Sequence, residues 1–365
     1  MKKAGIIGVG KLGLCFALNL EKSGFEVYAV DVSEEYVNLL QSRRFYSTEP
    51  GVNELLSEAK SFFVSSNAET IINNEIEDIF IMVATPSLPD GSYNHSQVEK
   101  VTDELIAFGK RKNTVHLYIG CTTMPGYCDK LAEKVLAYNY TVSYNPEFIA
   151  QGNIIHDQQY PDQVMIGEAN EEVGERLEKI YRKMAKNNPV YCRMSRISAE
   201  IAKLATNCFL TTKISFANSI GDLAIKAGAD YEKILAAVGA DSRIGKKYLN
   251  YGFGFGGPCF PRDNRALGVF AKSKNYELTI SEATDRVNKN HLHFQLQYYL
   301  EKYQPGDPIH FEHVTYKDGS VIIEESQQLA LAVALAHEGR KVIVTDREEV
   351  KIAVEKMYPG LFEFR

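Results

Sequence analysis

The sequence predicts an α/β protein with a parallel sheet in its N-terminal part, an all-helical middle region and a small, truncated α/β unit at its C-terminus. Short apolar runs alternate with helical patterns over residues 1–194, which is typical of a parallel sheet covered by helices. Residues 195–300 show helical patterns alone, and the alternation returns over residues 301–365. The sequence therefore predicts three domains with these boundaries.

The first strand, turn and helix predict a nucleotide site. An apolar run over residues 3–9 leads into Gly8-Val9-Gly10-Lys11-Leu12-Gly13, and a helical pattern follows. In such a unit the glycines let the backbone approach a pyrophosphate at the helix N-terminus. A second strand over residues 26–30 ends at Asp31, whose carboxylate can accept both ribose hydroxyls and repels a 2′-phosphate. The pattern predicts a Rossmann-type domain that binds NAD rather than NADP through Gly8, Gly10, Lys11, Leu12, Gly13 and Asp31.

Three further strands, over residues 78–83, 114–120 and 141–144, alternate with helices over 95–108 and 126–137. Ligands of open parallel sheets bind at the carboxyl ends of the strands. Three short motifs follow these strands: Ala84-Thr85-Pro86, Cys121-Thr122-Thr123 and Asn145-Pro146-Glu147. We expect Thr85, Pro86 and Thr122 to contribute to the cofactor site, although a turn-capping hydroxyl is the simpler interpretation of Thr122 alone.

The middle region begins with a long helical pattern over residues 198–228, followed by helices over 231–238 and 265–273. Lys203 and Asn207 are four residues apart in the first of these helices and therefore share a face. Most lysines are solvated, but the residues around Lys203 are nearly all uncharged, which predicts burial. A buried ammonium needs a ligand or a counter-charge.

Residues 252–263, Gly-Phe-Gly-Phe-Gly-Gly-Pro-Cys-Phe-Pro-Arg-Asp, surround Cys259 with glycine, proline and aromatic residues. This composition predicts an irregular loop that presents a thiol. The cation of Arg262 favours the thiolate, and the carboxylate of Asp263 can hold water or accept a proton. A buried structural cysteine is the alternative. Cys121 and Cys128 are rival nucleophiles, but neither has such a loop.

The C-terminal residues follow a linker over 304–308 and predict a strand over 309–314, a helix over 325–337, a strand over 341–345 and a helix from Glu348. This is too short for a second full Rossmann domain.

Composition excludes several classes of protein. The net charge of −6 argues against a nucleic-acid partner, and no apolar stretch approaches the length of a membrane span. The six cysteines are scattered, which predicts reduced thiols and a cytoplasmic location. The eight histidines lack metal-site spacing, so we expect no metal.

Taken together, these motifs resemble the UDP-glucose/GDP-mannose dehydrogenase family over nearly all of residues 1–300 and only weakly beyond. The matching segments are Gly8 to Gly13, Thr85-Pro86, Thr122 with Gly126, Asn145-Pro146-Glu147-Phe148, Lys203 with Asn207, Arg243-Ile244-Gly245, and Gly252 to Asp263.

The resemblance implies an enzyme that oxidises the C6 alcohol of a nucleotide sugar, UDP-hexose first among them, to a uronate with two NAD in succession. It implies that Cys259 forms a thiohemiacetal and then a thioester, and that Glu147, with Thr122 and Asp263, activates the water that releases the acid. Lys203, Asn207 and Asp263 would serve the first oxidation. The implied substrate contacts are Phe148, Lys203, Asn207, Arg243, Tyr248, Phe253, Gly256 and Lys317. The family also forms homodimers through the helix that begins near residue 198.

The C-terminal family signature is reduced here to Thr315-Tyr316-Lys317 and Glu324-Glu325-Ser326, with Glu324 where the family has arginine. Two other functions therefore stay open. One is a two-electron dehydrogenase of the β-hydroxyacid type, which needs neither Cys259 nor Glu147. The other is a non-catalytic paralogue that only binds NAD or a nucleotide sugar.

Overall fold

The computed structural model describes residues 2–149 and 152–365. The chain divides into two compact units, Met1–Lys203 and Leu204–Arg365. The three domain boundaries expected from the sequence are a finer division and stay a prediction.

The first unit alternates strands and helices. Its strands are β1 (Lys2–Ile7), β2 (Phe25–Val30), β3 (Phe62–Ser65), β4 (Asp78–Ile81), β5 (Val115–Ile119), β6 (Tyr140–Tyr144), β7 (Gln163–Glu168) and β8 (Val190–Ser195). Its helices are α1 (Lys11–Lys22), α2 (Glu34–Gln41), α3 (Val52–Glu58), α4 (Glu69–Asn73), α5 (Ser96–Ala107), α6 (Tyr127–Val135), α7 (Ile154–Gln159) and α8 (Glu171–Met184). The predicted elements are all present, with ends shifted by a few residues.

The eight strands form one sheet in the order β3-β2-β1-β4-β5-β6-β7-β8. All pairs are parallel except β6 with β7, which are antiparallel where Tyr144 faces Gly167. This arrangement confirms the predicted Rossmann-type sheet, since the five predicted strands pair in parallel. The antiparallel pair involves β7, a strand that the sequence analysis did not predict.

The sheet lies between two apolar layers. Ile79 and Ile81 of β4 belong to the cluster that contains α5 and α6 residues, whereas Phe80 between them belongs to the cluster of α1 and α8. Successive side chains of a strand point to opposite faces, so a strand that is apolar at every position is buried on both. This explains the unbroken apolar runs that identified the strands.

The second unit contains most of α9 (Arg196–Lys226) and ends in the C-terminal strands. Its other elements are α10 (Tyr231–Ala240), α11 (Phe260–Ser273), α12 (Thr279–Lys302), β9 (Ile309–Phe311), α13 (Gln327–His337), β10 (Val342–Val344), α14 (Glu348–Met357) and β11 (Glu363–Phe364). The three strands form a parallel sheet in the order β11-β10-β9. The predicted helical region and small C-terminal α/β unit are confirmed.

The cysteine segment differs from its prediction. Residues 252–259 are irregular, as expected, but α11 begins at Phe260, so Phe260, Pro261, Arg262 and Asp263 form its first turn. A proline in the first turn of a helix costs no hydrogen bond, because the first amides of a helix have no partner within it. Pro261 therefore starts this helix rather than preventing it, and Cys259 is its N-cap residue.

Candidate active site

The glycine turn between β1 and α1 has the geometry of a phosphate loop. Gly8 has a positive φ of 90°, and a Cβ atom there would lie 2.7 Å from the carbonyl oxygen of Met82. A Cβ atom on Gly13 would lie 2.0 Å from the carbonyl oxygen of Gly8, so only glycine lets α1 approach the strand this closely. A Cβ atom on Gly10 would meet nothing within 4 Å, which leaves this side of the turn open to a ligand. Lys11 and Leu12 follow in the first turn of α1.

Asp31 lies at the end of β2 beside this turn. Its Oδ2 accepts a hydrogen bond from the Val9 amide at 3.2 Å, and its Oδ1 accepts one from the Ser33 amide at 3.1 Å. These bonds hold the carboxylate next to the glycine turn, where the ribose of a dinucleotide binds in this fold. The open face of Gly10 and the position of Asp31 both fit NAD.

The loops after β4 and β5 are joined by hydrogen bonds. Thr85 Oγ1 donates to the carbonyl oxygen of Thr122 at 2.8 Å, and Thr85 is buried whereas Pro86 is exposed. The predicted cofactor residues of the two loops therefore share one edge of the sheet.

A buried carboxylate, Glu200, holds the second of these loops. It accepts hydrogen bonds from Thr123 Oγ1 at 2.8 Å, from the Gly126 amide at 2.6 Å and from the Cys128 amide at 2.9 Å. The last two donors lie at the N-terminus of α6, where a negative charge is stabilised. Burial raises the pKa of Glu200, and these bonds partly offset the effect.

Glu147 follows β6 and is half-buried. The hydroxyl of Tyr181 lies 2.7 Å from its Oε1. Burial raises the pKa of the Glu147 carboxyl, while the Tyr181 hydroxyl and the Lys203 ammonium act in the opposite direction. A carboxyl with a raised pKa is suited to exchange protons near neutral pH.

Lys203 of α9 is buried, as predicted. Its Nζ donates to the carbonyl oxygen of Glu147 at 2.8 Å and lies 4.2 Å from the centre of the Phe148 ring. The ammonium is thus held by the backbone and an aromatic face. These contacts join three predicted site residues in the first unit.

Cys259 differs from the other cysteines in its exposure. The six cysteines form no disulfide, and Cys259 is exposed while Cys121 and Cys128 are buried. Burial raises the pKa of Cys121 to about 12 and that of Cys128 well above its usual range. A buried neutral thiol is a poor nucleophile, so the burial of Cys121 and Cys128 favours Cys259 as the nucleophile. Cys259 also lies at the N-terminus of α11, which favours an anion.

Asn207 and Asp263 contact each other in the second unit. Asn207 Nδ2 donates to Asp263 Oδ2, and both side chains are buried. The amide of Asp263 donates to the carbonyl oxygen of Cys259 at 2.8 Å, because the two residues are one helical turn apart. Asp263 thus lies one helical turn after Cys259, and Asn207 orients its carboxylate.

The segment over residues 315–326 packs directly on residues 256–259, which we call the cysteine turn. A Cβ atom on Gly256 would lie 2.3 Å from the Glu325 carbonyl oxygen, and one on Gly257 would lie 2.5 Å from Tyr316 Cδ2. The Gly257 amide donates to the carbonyl oxygen of Glu324 at 3.0 Å. Burial and the nearby Cys259 raise the pKa of Tyr316.

The other predicted substrate residues are more scattered. Arg243 is exposed and pairs with Asp241 in its own loop, with Nη2 2.7 Å from Oδ2. Tyr248 is exposed with a positive φ of 63°, and Phe253 packs on Phe311, with ring centres 6.4 Å apart. Lys317 is exposed. Their contacts with a substrate stay predictions.

Sequence reasoning did not single out Tyr181 and Glu200, and it named Tyr316 only as part of the reduced C-terminal signature. Tyr181 belongs to the apolar face of α8, so its pattern indicates only a core aromatic residue. Glu200 did carry a signal, because it is the one acidic residue within the mostly apolar first turns of α9.

Among residues 2–149 and 152–365, no helix is long and apolar enough to cross a membrane. Within the same residues, no group of three or more His, Cys, Asp and Glu side chains is placed to hold a metal ion.

Comparison with known proteins agrees with this geometry. Residues 2–185 match the NAD binding domain of the UDP-glucose/GDP-mannose dehydrogenase family, and residues 197–290 match its central domain. The chain is 31% identical over 357 residues to a UDP-glucose 6-dehydrogenase of Pseudomonas aeruginosa, covering 93% of this chain and 78% of that protein. A UDP-glucose 6-dehydrogenase of Rickettsia bellii is 31% identical over 349 residues, with coverages of 93% and 80%.

A solved UDP-glucose dehydrogenase of Pyrobaculum islandicum has a similar structure, with a TM-score of 0.89 and 29% identity, covering 100% of this chain and 86% of that chain. The glycine turn, Asp31 and the sheet define an NAD-dependent oxidoreductase, and the relatives place it among those that act on alcohols. The chain belongs to the UDP-glucose/GDP-mannose dehydrogenase family.

Proposed function

We propose that this enzyme oxidises the C6 alcohol of a nucleotide sugar to a carboxylate in two steps, through a thioester on Cys259. The observation that carries the proposal is the single exposed cysteine at the N-terminus of α11, one helical turn before the buried Asp263. A two-electron dehydrogenase has no use for a presented thiol.

The glycine turn and Asp31 would hold NAD, with Thr85, Pro86 and Thr122 at the same edge of the sheet. When bound, NAD supplies the acceptor for the hydride of each oxidation. The buried ammonium of Lys203 would stabilise the negative charge on the substrate oxygen as the alcohol loses its proton. Asp263, oriented by Asn207, would hold the water that takes this proton.

The aldehyde formed in the first step has no hydroxyl-bearing carbon from which a second hydride can leave. Addition of the Cys259 thiol to the carbonyl carbon forms a C–S bond and a thiohemiacetal hydroxyl. Loss of a hydride and a proton from this adduct gives the thioester. The second oxidation therefore depends on the thiol.

Glu147 would remove a proton from water as its oxygen attacks the thioester carbonyl. The C–S bond then breaks, the acid leaves and Cys259 is restored. Thr122 would help to position this water. The raised pKa of Glu147 suits the exchange of a proton in each turnover.

A UDP-hexose is the substrate that we infer, because two relatives that are 31% identical to this chain are UDP-glucose 6-dehydrogenases. Arg243 and Lys317 are exposed cations that would contact its phosphates. Phe148, Tyr248, Phe253 and Gly256 would complete the sugar and base contacts. We also infer a cytoplasmic location, since the cysteines form no disulfide.

The enzyme would act as a homodimer through α9. Phe209, Phe216 and Leu223 are exposed by 65%, 48% and 62%, and they repeat every seven residues. Such a repeat forms a stripe along one side of a helix. A second copy related by a two-fold axis would cover this stripe with the same residues.

A screen of UDP- and GDP-hexoses with NAD, followed by mass analysis of the products, tests the proposal. A product about 14 mass units heavier than the substrate supports the proposal, because conversion of CH₂OH to COOH adds one oxygen and removes two hydrogens. A product that stops at the aldehyde, or no product from any sugar while NAD still binds, contradicts it.

A further inference from the structure

The hydroxyl of Tyr181 lies between two acceptors. It is 2.7 Å from Oε1 of Glu147 and 2.8 Å from Oδ1 of Asn145. The orientation of the Asn145 amide is set by its Nδ2, which donates to the Met165 carbonyl oxygen at 3.0 Å. A phenol has one proton, so it can donate to only one of these two oxygens at a time.

The Tyr181 side chain is held in this place by packing. It is 4% exposed on α8, and its ring centre lies 5.9 Å from that of Phe16. Because the ring is buried between two helices, rotation of the hydroxyl proton about the C–O bond is the main motion left to this side chain. That proton can turn from one acceptor to the other without any movement of heavy atoms.

We propose that Tyr181 is a positioning residue that keeps the Glu147 carboxyl in place in both of its protonation states. When Glu147 is ionised, the Tyr181 hydroxyl donates to it. When Glu147 has taken a proton, the hydroxyl turns to Asn145 and its oxygen accepts the proton of the carboxyl. The proposal rests on the proposed role of Glu147 in thioester hydrolysis.

Three groups act on this carboxyl besides burial. Burial raises its pKa, whereas the Tyr181 hydroxyl, the Lys203 ammonium and the Gln158 amide lower it, in that order. The Tyr181 hydroxyl has the largest of these three lowering effects and lies 2.7 Å from Glu147 Oε1. Loss of the Tyr181 hydroxyl should therefore raise the pKa of Glu147.

Loss of the Tyr181 hydroxyl should favour the protonated form of Glu147. Tyr181→Phe removes a donor to the ionised form, so the ionised fraction of Glu147 falls at pH 7. A hydrogen bond to a charged group is worth about a ten- to hundredfold change in such an equilibrium. Thioester hydrolysis should slow at pH 7 and recover at higher pH, because the midpoint of its pH profile moves upward, while the first oxidation stays unchanged.

The direct test is a ¹³C NMR titration of glutamate-labelled, substrate-free protein. The resonance of Glu147 is assigned as the one missing in Glu147→Gln. In Tyr181→Phe its titration midpoint should move upward by about one to two pH units. In the control Tyr191→Phe, which removes a half-buried hydroxyl of β8, it should stay in place. An unchanged midpoint in Tyr181→Phe overturns the proposal.

Intact-protein mass spectrometry during turnover of UDP-glucose with NAD separates this proposal from the proposed function. Tyr181→Phe should carry a covalent adduct on Cys259 at pH 7 that is gone at pH 9, whereas Glu147→Gln should carry it at both. An adduct in Glu147→Gln with a wild-type pattern in Tyr181→Phe defeats the role of Tyr181 alone. No adduct in Glu147→Gln defeats the role of Glu147 and this proposal with it.

Discussion

A thiol must be accessible to react, and this condition separates Cys259 from the cysteines buried in the sheet and the helices. We predict that Cys259→Ser abolishes uronate formation, since a serine hydroxyl at neutral pH adds poorly to an aldehyde and forms no thioester. NAD binding should be unchanged, because the glycine turn and Asp31 belong to the other compact unit.

Product analysis and a calorimetric NAD titration check this prediction. The matched control is Cys192→Ser, which changes a half-buried thiol of β8 and should leave activity intact. Full uronate production by Cys259→Ser would exclude the thioester route.

Asp31 should set the choice of cofactor. Its carboxylate is fixed beside the glycine turn by two backbone amides, and a 2′-phosphate there would meet a like charge. We predict that kcat/KM is about 100-fold higher for NAD than for NADP, and that Asp31→Asn reduces this preference by about tenfold. The exposed Asp90→Asn is the control. Equal use of both cofactors by the wild type would show that Asp31 lies outside the ribose site.

Sequence motifs predicted many of the site residues, because each of these residues stands in a recognisable local pattern. Cys259 is marked by its glycines and prolines, and Glu147 by its place after a strand. Tyr181 has no such signal, since a tyrosine on the apolar face of a helix is typical of a core. Its acceptor Glu147 is 34 residues away in the chain, so only the folded structure brings the two together.

At the scale of elements, the contact between the cysteine turn and residues 315–326 depends on glycine. Gly257 has a φ of 80°, and a Cβ atom there would overlap the Tyr316 ring. We predict that Gly257→Ala displaces this ring and lowers kcat by about tenfold or more, with NAD affinity unchanged. The control is Gly268→Ala in α11, where a Cβ atom meets nothing within 4 Å. Steady-state kinetics of both variants checks this prediction. A kcat of Gly257→Ala equal to that of Gly268→Ala would contradict it.

The exposed stripe of α9 predicts the oligomeric state. We expect the wild type to have twice the chain mass of 41.0 kDa in solution. Phe216→Asp should give a monomer, because a carboxylate at the centre of the stripe would be buried without a partner. Light scattering after size exclusion measures both. Ile352→Asp, at an exposed apolar residue of α14, is the control, and a wild-type monomer would refute the dimer.

The periodicity of the sequence predicted the long helix and five strands of the large sheet, because apolar patterns indicate burial. It gave no prediction for β3, β7 and β8. It therefore did not predict the antiparallel pairing of β6 with β7. It also placed the start of α11 too late. Glycine and proline indicate irregular backbone, but Pro261 occupies the one part of a helix that tolerates proline.

At the scale of the whole molecule, the two compact units carry different parts of the proposed chemistry. The first contains the glycine turn, Asp31, Glu147 and Lys203, and the second contains Cys259 with Asp263. The C-terminal strands and helices belong to the second unit, and their segment over residues 315–326 contacts the cysteine turn. The short C-terminal part thus packs on the turn that carries the thiol.

The central claim is that one enzyme removes four electrons from each sugar. The most direct test measures how much NADH forms for each UDP-glucose consumed. The absorbance at about 340 nm is followed with the sugar limiting and NAD in excess, because each hydride transfer of this mechanism forms one NADH. The thioester route predicts two NADH per sugar and a carboxylate product. One NADH per sugar, with an aldehyde or ketone as the final product, would contradict it.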